Sequence, residues 1–326
     1  MLMKILIRAD GGFNIGMGHV MRMLVLADRL KDFSEVVFVC RKNEEFKAGV
    51  RYIEACGYSV STVNGEDIID ELAGIGGDCL ITDSYDADES YFRRTGDIFG
   101  ITGYMDDLNK VRINADFIIN QNIYAQDLGY EKYEGTMLML GTQYALLRDE
   151  FRGLPARKTR RNVESVLVTM GGSDPQNLTQ KFALKLGRAF PGITFHIIAG
   201  SSFIYGDNLE AAAGENIIIH REPKMSALMM QCDAAVSACG STVYELCACG
   251  TPIIGVAAAD NQVMTARSMD NIGAMKYASG AGEIVRHLES LDYEARVRMS
   301  ETARKLVDGN GSIRVSEHIR KIICKK

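Results

Sequence analysis

Short apolar runs rich in β-branched residues alternate with amphipathic segments along the first half of the chain. The run at residues 4–9 predicts a strand, and apolar residues at helical spacing over 19–30 predict the helix that follows it. Further strands are predicted at 36–40, 58–63, 79–82, 98–105, 117–119 and 137–140. Strands that alternate with helices in this way are typical of βαβ units, which build a mostly parallel sheet covered on both faces.

The same alternation begins again at residue 163. A strand at 163–170 and a helix at 178–190 start this second series. Later strands are predicted at 194–199, 216–220, 234–238, 251–256 and 274–278, and residues 293–323 are predicted to be helical apart from an interruption at Gly309-Asn310-Gly311. The pattern therefore predicts an α/β protein made of two doubly wound halves in series, without a fixed-period repeat.

A break in the pattern separates the two halves. Five of the eight residues in 154–161 are proline or basic, and the segment has no apolar periodicity, which is typical of an exposed interdomain linker. The 326 residues also exceed the size at which a single core stops growing. We therefore expect a first domain at 1–154, a hinge-like linker at 155–161, a second domain at 162–308 and a C-terminal helix at 309–326.

Composition narrows the classes of protein that the chain can represent. Hydrophobic residues make up 47% and charged residues 24%, and the net charge is -5, which argues against a nucleic-acid binder because such a protein needs a basic surface. The first apolar run is interrupted by charged residues, and no run approaches the roughly 20 residues that span a bilayer. We therefore expect a cytoplasmic protein without stable membrane insertion.

The eight cysteines do not predict a metal or redox site. Most of them lie inside apolar strand or helix patterns, and Cys247 and Cys249 are spaced too closely for a C-x-x-C motif. Asp106 and Asp107 are adjacent and lack the D-x-D spacing of a magnesium site. We therefore expect reduced thiols, no metal and no cofactor.

The loop after the first predicted strand is the strongest candidate for chemistry. Over residues 8–22 it reads RADGGFNIGMGHVMR, and its glycines allow the backbone to wrap closely around a ligand. His19 falls at the start of the next helix, whose positive end favours a neutral imidazole that can act as a general base. The alternative is a histidine that only packs beside a glycine turn. The segment lacks the G-x-G-x-x-G that binds a dinucleotide directly after a strand.

Two other strand ends carry polar residues. Asp83 follows the strand at 79–82, where it either contacts a sugar hydroxyl or orients a partner side chain, or else caps the next helix. Gly171, Gly172 and Ser173 follow the strand at 163–170 and offer backbone N–H groups to a phosphate. Glycine-rich turns after strands are common, so this second feature is weak by itself.

A more specific pattern follows the strand at 234–238. Gly240, Ser241 and Thr242 open a helix, and their N–H groups and hydroxyls are suited to hold a diphosphate. Glu245 is placed to accept hydrogen bonds from a ribose diol, or alternatively to complement the helix dipole. After the next strand, Asn261-Gln262 supplies amides that both donate and accept hydrogen bonds, as sugar recognition requires, unless the pair is only loop polarity. Together these spacings indicate a nucleotide site.

These residues resemble a known family. The pattern from Gly240 to Glu245, with Gly250-Thr-Pro252 and Asn261-Gln262, resembles the nucleotide-binding half of GT-B glycosyltransferases of the MurG-like group. The motifs that narrow the resemblance to the PseG family of UDP-sugar hydrolases are Arg8-Ala-Asp10 with Ile-Gly-Met-Gly-His19-Val-Met-Arg22, Thr82-Asp-Ser-Tyr85, Met105-Asp-Asp107, Ile119-Asn-Gln-Asn122, Tyr144-Ala-Leu-Leu-Arg148 and Met170-Gly-Gly-Ser-Asp174. The resemblance covers roughly residues 3–280.

The resemblance implies a fold and a reaction. It implies a GT-B-like fold, with two Rossmann-like domains facing each other across a cleft. It implies that water attacks the anomeric carbon of UDP-2,4-diacetamido-2,4,6-trideoxy-β-L-altropyranose with inversion, which releases UDP, as a step of pseudaminic acid biosynthesis. His19 carries over as the base, without a cofactor. The substrate and UDP contacts carry over to Asp10, Gly18, Arg22, Asp83, Tyr85, Gly171, Gly172, Ser173, Gly240, Ser241, Thr242, Glu245, Asn261 and Gln262.

Two other functions fit the same motifs. A MurG-like glycosyltransferase would use the base on an acceptor hydroxyl instead of water, and a nucleotide-sugar sensor would bind without turnover. The chain has no clear basic amphipathic segment for a membrane-bound acceptor, and His19 in the loop argues against a mere sensor. The sequence gives no indication of oligomeric state.

Overall fold

The computed structural model describes residues 2–12, 15–130, 134–171, 174, 176–198, 214–221 and 223–325. The chain divides into two compact units, of which the first comprises Met1–Leu147 with Asn310–Lys326 and the second comprises Arg148–Gly309. Among the described residues, no helix has both the length and the apolar character needed to cross a membrane.

The first unit is built on a seven-stranded parallel sheet. Its strands are β1 (Met3–Ala9), β2 (Ser34–Arg41), β3 (Ser59–Val63), β4 (Cys79–Asp83), β5 (Ile101–Met105), β6 (Phe117–Asn120) and β7 (Met137–Leu140). Their order in the sheet is β3-β2-β1-β4-β5-β6-β7, with β1 at the point where the order reverses. The connecting helices are α1 (Gly18–Leu30), α2 (Lys47–Ala55), α3 (Ile68–Ile75) and α4 (Glu89–Ile98). Ligands of such sheets bind outside the carboxyl ends of the strands near this reversal.

Alternation along β1 builds the two faces of this sheet. Ile5 and Ile7 pack in the core that α1 covers, whereas Leu6 packs in the core on the other face. All three side chains are fully buried. Near-continuous apolar strands are expected where helices cover both faces of a parallel sheet.

The second unit repeats the architecture with six parallel strands. These are β8 (Ser165–Thr169), β9 (Thr194–Ile198), β10 (Ile217–His220), β11 (Ala234–Ala238), β12 (Ile253–Val256) and β13 (Lys276–Tyr277), in the order β10-β9-β8-β11-β12-β13. The helices are α5 (Leu178–Ala189), α6 (Met225–Gln231), α7 (Thr242–Cys249), α8 (Val263–Asn271), α9 (Ala281–Ser290) and α10 (Tyr293–Leu306). The predicted pair of parallel α/β sheets is confirmed.

Several strands start later than the sequence pattern predicts, and for two of them, β5 and β12, the end of the preceding helix is the reason. Residue Ile98, predicted as strand, ends α4, and the N–H of Phe99 bonds to the carbonyl of Thr95 at 2.9 Å. Before β12, Gly250 takes a left-handed conformation that ends α7, and Pro252 has no N–H for the ladder. In both cases the end of a helix delays the entry into the strand.

The last helix, α11 (Gly311–Ile323), belongs to the first unit. Val315 and Ile319 are fully buried in the same core as α1. A Cβ at Gly311 would lie 2.2 Å from the carbonyl oxygen of Ala145, so only glycine permits this close approach of the two backbones.

The predicted linker at 155–161 lies inside the second unit. Arg157 donates to the carbonyl of Cys232 and to Thr251 Oγ1 at 3.0 Å, and Arg296 donates to the carbonyls of Arg160 and Arg161 at 2.9 and 2.8 Å. The second unit itself begins earlier, at Arg148. The predicted domain limits and a hinge at 155–161 stay predictions.

Candidate active site

His19 and Asp83 meet at the carboxyl edge of the first sheet. His19 is the second residue of α1, which follows the loop after β1, and Asp83 ends β4, the neighbour of β1. His19 Nδ1 lies 2.6 Å from Asp83 Oδ1, and the Asp83 side chain is only 1% exposed. Because a carboxylate only accepts, this contact assigns a proton to Nδ1, so that in the neutral ring the lone pair lies on Nε2. The N-cap of α4 is Asp88, so Asp83 orients His19 and does not cap that helix.

Arg22 binds the same carboxylate from one helical turn further along α1. Its Nε and Nη2 donate to the two oxygens of Asp83, both at 2.6 Å, and the side chain is 10% exposed. Burial by itself raises the pKa of Asp83. Arg22, and then His19, nevertheless hold this pKa well below its usual range. Asp83 is therefore an anion held in place by two donors when it contacts His19.

Asp107 is a second carboxylate on the same guanidinium. It lies after β5, the next strand in the sheet, and its Oδ1 and Oδ2 accept from Nη1 and Nη2 of Arg22 at 3.0 and 3.1 Å. Burial by itself raises the pKa of Asp107, but Arg22 lowers it below the ordinary value. Burial lowers the pKa of Arg22, and Asp107 and Asp83 together raise it well above its usual value. Arg22 is thus a charged bridge between two ionised carboxylates.

Tyr85 and Asn122 complete the network around Asp107. The Tyr85 hydroxyl donates to Asp107 Oδ2 at 2.7 Å, and Asn122 Nδ2 donates to Oδ1 at 2.8 Å. The Tyr85 ring meets the His19 ring edge to face, with centroids 4.9 Å apart. Sequence reasoning did not assign Asp107 and Asn122 to the site. Their position directly after two buried strands was the signal that could have found them.

A pocket of about 230 Å³ opens beside His19. Its lining is Asp10, Ile15, His19, Arg41, Asp83, Ser84, Tyr85 and Asp86. Asp10 accepts from the backbone N–H and the Nε of Arg41 at 2.8 and 2.7 Å, and Arg41 Nη1 lies 2.7 Å from Asp86 Oδ2. The structure therefore brings four predicted site residues, Asp10, His19, Asp83 and Tyr85, to one pocket.

Carboxylates outnumber cations along this pocket. Asp10, Asp83 and Asp86 line it together with a single cation, Arg41. Such a surface repels a diphosphate and favours a group that gains positive charge. Of the neighbouring loop residues, Gly18 has open space at its Cβ position, while Arg8 is buried over the Tyr91 ring at 4.8 Å and does not line the pocket.

The second unit gathers another set of predicted residues at its own carboxyl edge. Strands β8, β11 and β12 are neighbours, and they lead to Gly171, to Gly240-Ser241 at the start of α7, and to a 3-10 turn with Asn261 and Gln262. A Cβ on Gly240 would lie 3.6 Å from Gln262 Nε2, so these two residues are adjacent. Gln262 Oε1 accepts from the N–H of Ala258 at 3.0 Å, which directs its amide nitrogen away from that bond. The predicted residues Gly172 and Ser173 lie outside the described residues.

The first turn of α7 presents Thr242 and Glu245. Glu245 Oε1 accepts from Arg148 Nη2 at 3.1 Å, and Arg148 Nη1 also lies 2.8 Å from Glu150. Burial raises the pKa of Glu245, and Arg148 offsets this in part. A ribose contact of Glu245 stays a prediction.

Within the described ranges, no group of three or more His, Cys, Asp or Glu side chains is arranged to hold a metal ion. The eight cysteines are free thiols, of which Cys56 and Cys324 are exposed and the other six are buried.

The chain is similar in sequence to several proteins, and the similarity covers different shares of their lengths. No protein-family model matches the chain. The chain is 28% identical over 270 residues to an uncharacterized protein of Methanocaldococcus jannaschii, covering 77% of this chain and 55% of that protein, so it spans about half of that relative. It is 27% identical to the spore coat polysaccharide biosynthesis protein SpsG of Bacillus subtilis, over 96% of this chain and 97% of SpsG. It is 30% identical over 194 residues to the UDP-2,4-diacetamido-2,4,6-trideoxy-beta-L-altropyranose hydrolase of Campylobacter jejuni, covering 56% of this chain and 66% of that enzyme.

Solved structures share the fold over almost the whole chain. MurG of Acinetobacter baumannii superposes with a TM-score of 0.67 at 15% identity, over 98% of this chain and 99% of MurG. HepE of Anabaena in complex with UDP and glucose superposes with a TM-score of 0.62 at 13% identity, over 99% of this chain and 100% of HepE. At such identities the similarity shows the fold alone.

Proposed function

Because this chain is a PseG-like protein with the GT-B fold, we propose that it hydrolyses a UDP-activated sugar to UDP and the free sugar. The observation that carries the proposal is the pair of His19 Nδ1 and Asp83 Oδ1 at 2.6 Å beside a pocket. This arrangement is that of an oriented imidazole base with its second nitrogen available for a proton.

His19 acts on the attacking water in this proposal. Nε2 accepts the proton as the water oxygen bonds to the anomeric carbon, and the bond from that carbon to the UDP oxygen breaks with inversion. Asp83, bonded to Nδ1, keeps the ring in the required tautomer and stabilises the imidazolium that forms. The diphosphate leaves as an anion, so a single base suffices and no general acid is required.

The charge along the pocket supports this reaction. The anomeric carbon gains positive charge as its bond to a leaving group breaks. Asp10, Asp83 and Asp86 place negative charge along the pocket wall, where it stabilises that carbon electrostatically. The same charge makes this pocket a poor site for the diphosphate itself.

We assign the UDP half of the substrate to the second unit. The start of α7 at Gly240, Ser241 and Thr242 is suited to an anion, because the positive end of the helix dipole favours the two phosphates there. The Gln262 amide beside Gly240 adds a donor at the same edge. In this proposal the leaving group is stabilised without a metal ion.

The substrate sugar is proposed from the relatives. The name of the Campylobacter jejuni relative favours UDP-2,4-diacetamido-2,4,6-trideoxy-β-L-altropyranose and a step in pseudaminic acid biosynthesis. The relative that matches along almost its whole length is named for spore coat polysaccharide, so other UDP-sugars belong in the same assay.

The test is UDP release from a panel of UDP-sugars that includes this compound. His19→Ala is expected to reduce the rate by at least about a hundredfold while UDP still binds. His287→Ala, a histidine of α9 that bonds to the carbonyl of Tyr277, is the matched control and is expected to retain activity. In ¹⁸O-water the label is expected in the sugar, and label in UDP would contradict cleavage at the anomeric carbon.

A glycosyltransferase is the second candidate, because the chain shares its fold with proteins such as the glycosyltransferase CalG4. It would use the same base on an acceptor hydroxyl. UDP release that depends on an added acceptor, with no ¹⁸O in the sugar, would favour it over hydrolysis.

A further inference from the structure

Asp107 is bonded on all sides by donors of the first unit. Oδ1 accepts from Arg22 at 3.0 Å and Asn122 at 2.8 Å, and Oδ2 accepts from Arg22 at 3.1 Å and Tyr85 at 2.7 Å. The residue is 8% exposed and does not line the pocket. Its four donors hold the Asp107 carboxylate within the network of the protein, outside the set of residues that line the pocket.

We propose that Asp107 is a positioning residue that supplies the counter-charge of Arg22, so that the charge of Asp83 remains available to His19. This inference rests on the proposed role of His19 as the base. Arg22 Nη2 is the shared atom, because it donates to Asp83 Oδ1 at 2.6 Å and to Asp107 Oδ2 at 3.1 Å. Without Asp107, Arg22 alone would neutralise Asp83.

Asp107 offsets the positive charge that forms on His19 during the proton transfer. Before the step, Asp83, Asp107 and Arg22 carry a net charge of -1 beside a neutral His19, by their formal charges. When Nε2 takes the proton of water, the group of four becomes neutral, and the proton later passes to solvent. Without Asp107 the same step goes from neutral to +1 in a partly buried site, where an uncompensated charge is more costly than in water.

Tyr85 connects Asp107 to His19 through a hydrogen bond and a ring contact. Its hydroxyl is held by Asp107, and its ring packs against the His19 ring with a centroid distance of 4.9 Å. Asp107 therefore reaches His19 by two routes, electrostatically through Arg22 and by packing through Tyr85.

Other charged groups near His19 stay constant in the test. The titratable and charged side chains that contact His19 or line its pocket are Arg22 from α1, Asp83 and Tyr85 from the end of β4, Asp10 after β1, Arg41 at the end of β2, and Asp86. A neutral substitution of Asp107 leaves all of them in the chain.

The experiment is an NMR titration of the five histidines in the full-length protein, with His19 assigned by the signal lost in His19→Ala. In Asp107→Asn the midpoint of the His19 transition is expected to fall by about one pH unit, because the imidazolium loses a nearby negative charge. Asp107→Glu keeps the charge and is expected to keep the midpoint within about 0.3 unit. The acidic limb of the pH–rate profile is expected to move with the midpoint, and kcat at neutral pH to fall about tenfold in Asp107→Asn with little change in KM.

Asp106→Asn is the matched control. Asp106 is the adjacent buried carboxylate, and it bonds to the N–H groups of Leu108 and Asn109 and to the Tyr130 hydroxyl, but not to Arg22. Its removal is expected to shift the His19 midpoint by less than half as much. Equal shifts in the two variants, or no shift in Asp107→Asn, would overturn the proposal. Asp107→Ser serves as the neutral variant if far-UV circular dichroism shows that Asp107→Asn does not fold.

The titration separates the two proposals. If His19→Ala still releases UDP, the proposed hydrolase mechanism fails, whereas a specific midpoint shift in Asp107→Asn would still show that Asp107 controls the charge on His19.

Discussion

The imidazole of His19 and the carboxylate of Asp83 form a hydrogen-bonded pair, 2.6 Å from Nδ1 to Oδ1, between residues that are 64 positions apart in the chain. The pair exists because β1 and β4 are neighbours in the sheet and end at the same edge. Arg22 holds the second oxygen of Asp83 and so fixes the direction in which the carboxylate faces His19.

Asp83→Asn is expected to reduce kcat for UDP release by about 10² to 10⁴, because an amide can hold His19 in the wrong tautomer and cannot stabilise an imidazolium. Steady-state kinetics check this, and the affinity for UDP is expected to stay unchanged. Asp88→Asn is the control, since asparagine caps a helix about as well as aspartate. Equal kcat in Asp83→Asn and the unmodified protein would remove Asp83 from the mechanism.

Ser241→Asp is expected to weaken UDP binding at least about tenfold while the thermal midpoint stays equal or rises. Ser241 is the exposed residue before α7, and its side chain makes no capping bond, so aspartate there breaks no contact of this kind and complements the helix dipole. The new charge would repel a diphosphate at that helix end. Calorimetric titration with UDP measures the affinity, and Ser241→Asn, which has a similar size without the charge, is the control. Tight UDP binding by Ser241→Asp would argue against a diphosphate at α7.

His196 and His220 are expected to make the second unit less stable in mild acid. His196 Nδ1 and His220 Nε2 lie 2.9 Å apart, so at least one of the two rings is neutral and accepts the hydrogen bond, and protonation of both rings would break it. Burial lowers the pKa of both, and His220 lowers that of His196 further. The contribution of the pair to the free energy of unfolding is therefore fully present above about pH 6.5, the pKa of histidine in an unfolded chain. It is lost as the pH falls below this value toward the lowered pKa values of the folded protein.

Urea unfolding between pH 8 and pH 5 measures this effect. His220→Gln removes one of the two titrating groups and is expected to flatten the pH dependence, whereas His287→Gln on α9 is expected to leave it unchanged. If the free energy of unfolding changed equally with pH in the unmodified protein, His220→Gln and His287→Gln, the pair would not govern the pH dependence of stability.

Gly311→Ala is expected to destabilise the first unit by about 1–3 kcal/mol, because the added Cβ would meet the backbone oxygen of Ala145 at 2.2 Å and displace α11. Chemical denaturation gives the free energy of unfolding. Gly74→Ala in α3 is the control, since its Cβ position has no neighbour within 4 Å and alanine favours a helix. A loss in the control as large as in Gly311→Ala would mean that the contact with Ala145 is not the cause.

The sequence predicted the elements of both units closely where the apolar pattern is strong. The helix predicted at 19–30 is α1, and the strands predicted at 137–140 and 234–238 are β7 and β11 with the same limits. These features are local, because hydrophobic periodicity reports the conformation of a segment directly. Strand β13 has only two residues where five were predicted, since its limits depend on pairing with β12.

Some residues of the candidate site can be predicted from the sequence, and others only from the fold. His19, Asp83 and the residues from Gly240 to Glu245 were predicted because residue type and position after a strand are visible in the sequence. Asp107, Asn122 and Arg41 entered the site only through the order of the strands, which brings side chains that are far apart in the chain to one edge; Asp107, for example, is 85 positions from Arg22.

By itself, the sequence determined two parallel α/β units, and it predicted a reactive loop with His19 and a nucleotide-binding pattern at Gly240. Tertiary structure alone decided that Asp83 orients His19 and does not cap α4, and that the last helix joins the first unit. The physical reason is that a carboxylate at a strand end has several possible partners, and an apolar helix face has several possible cores. Only the packing of distant segments selects one of them.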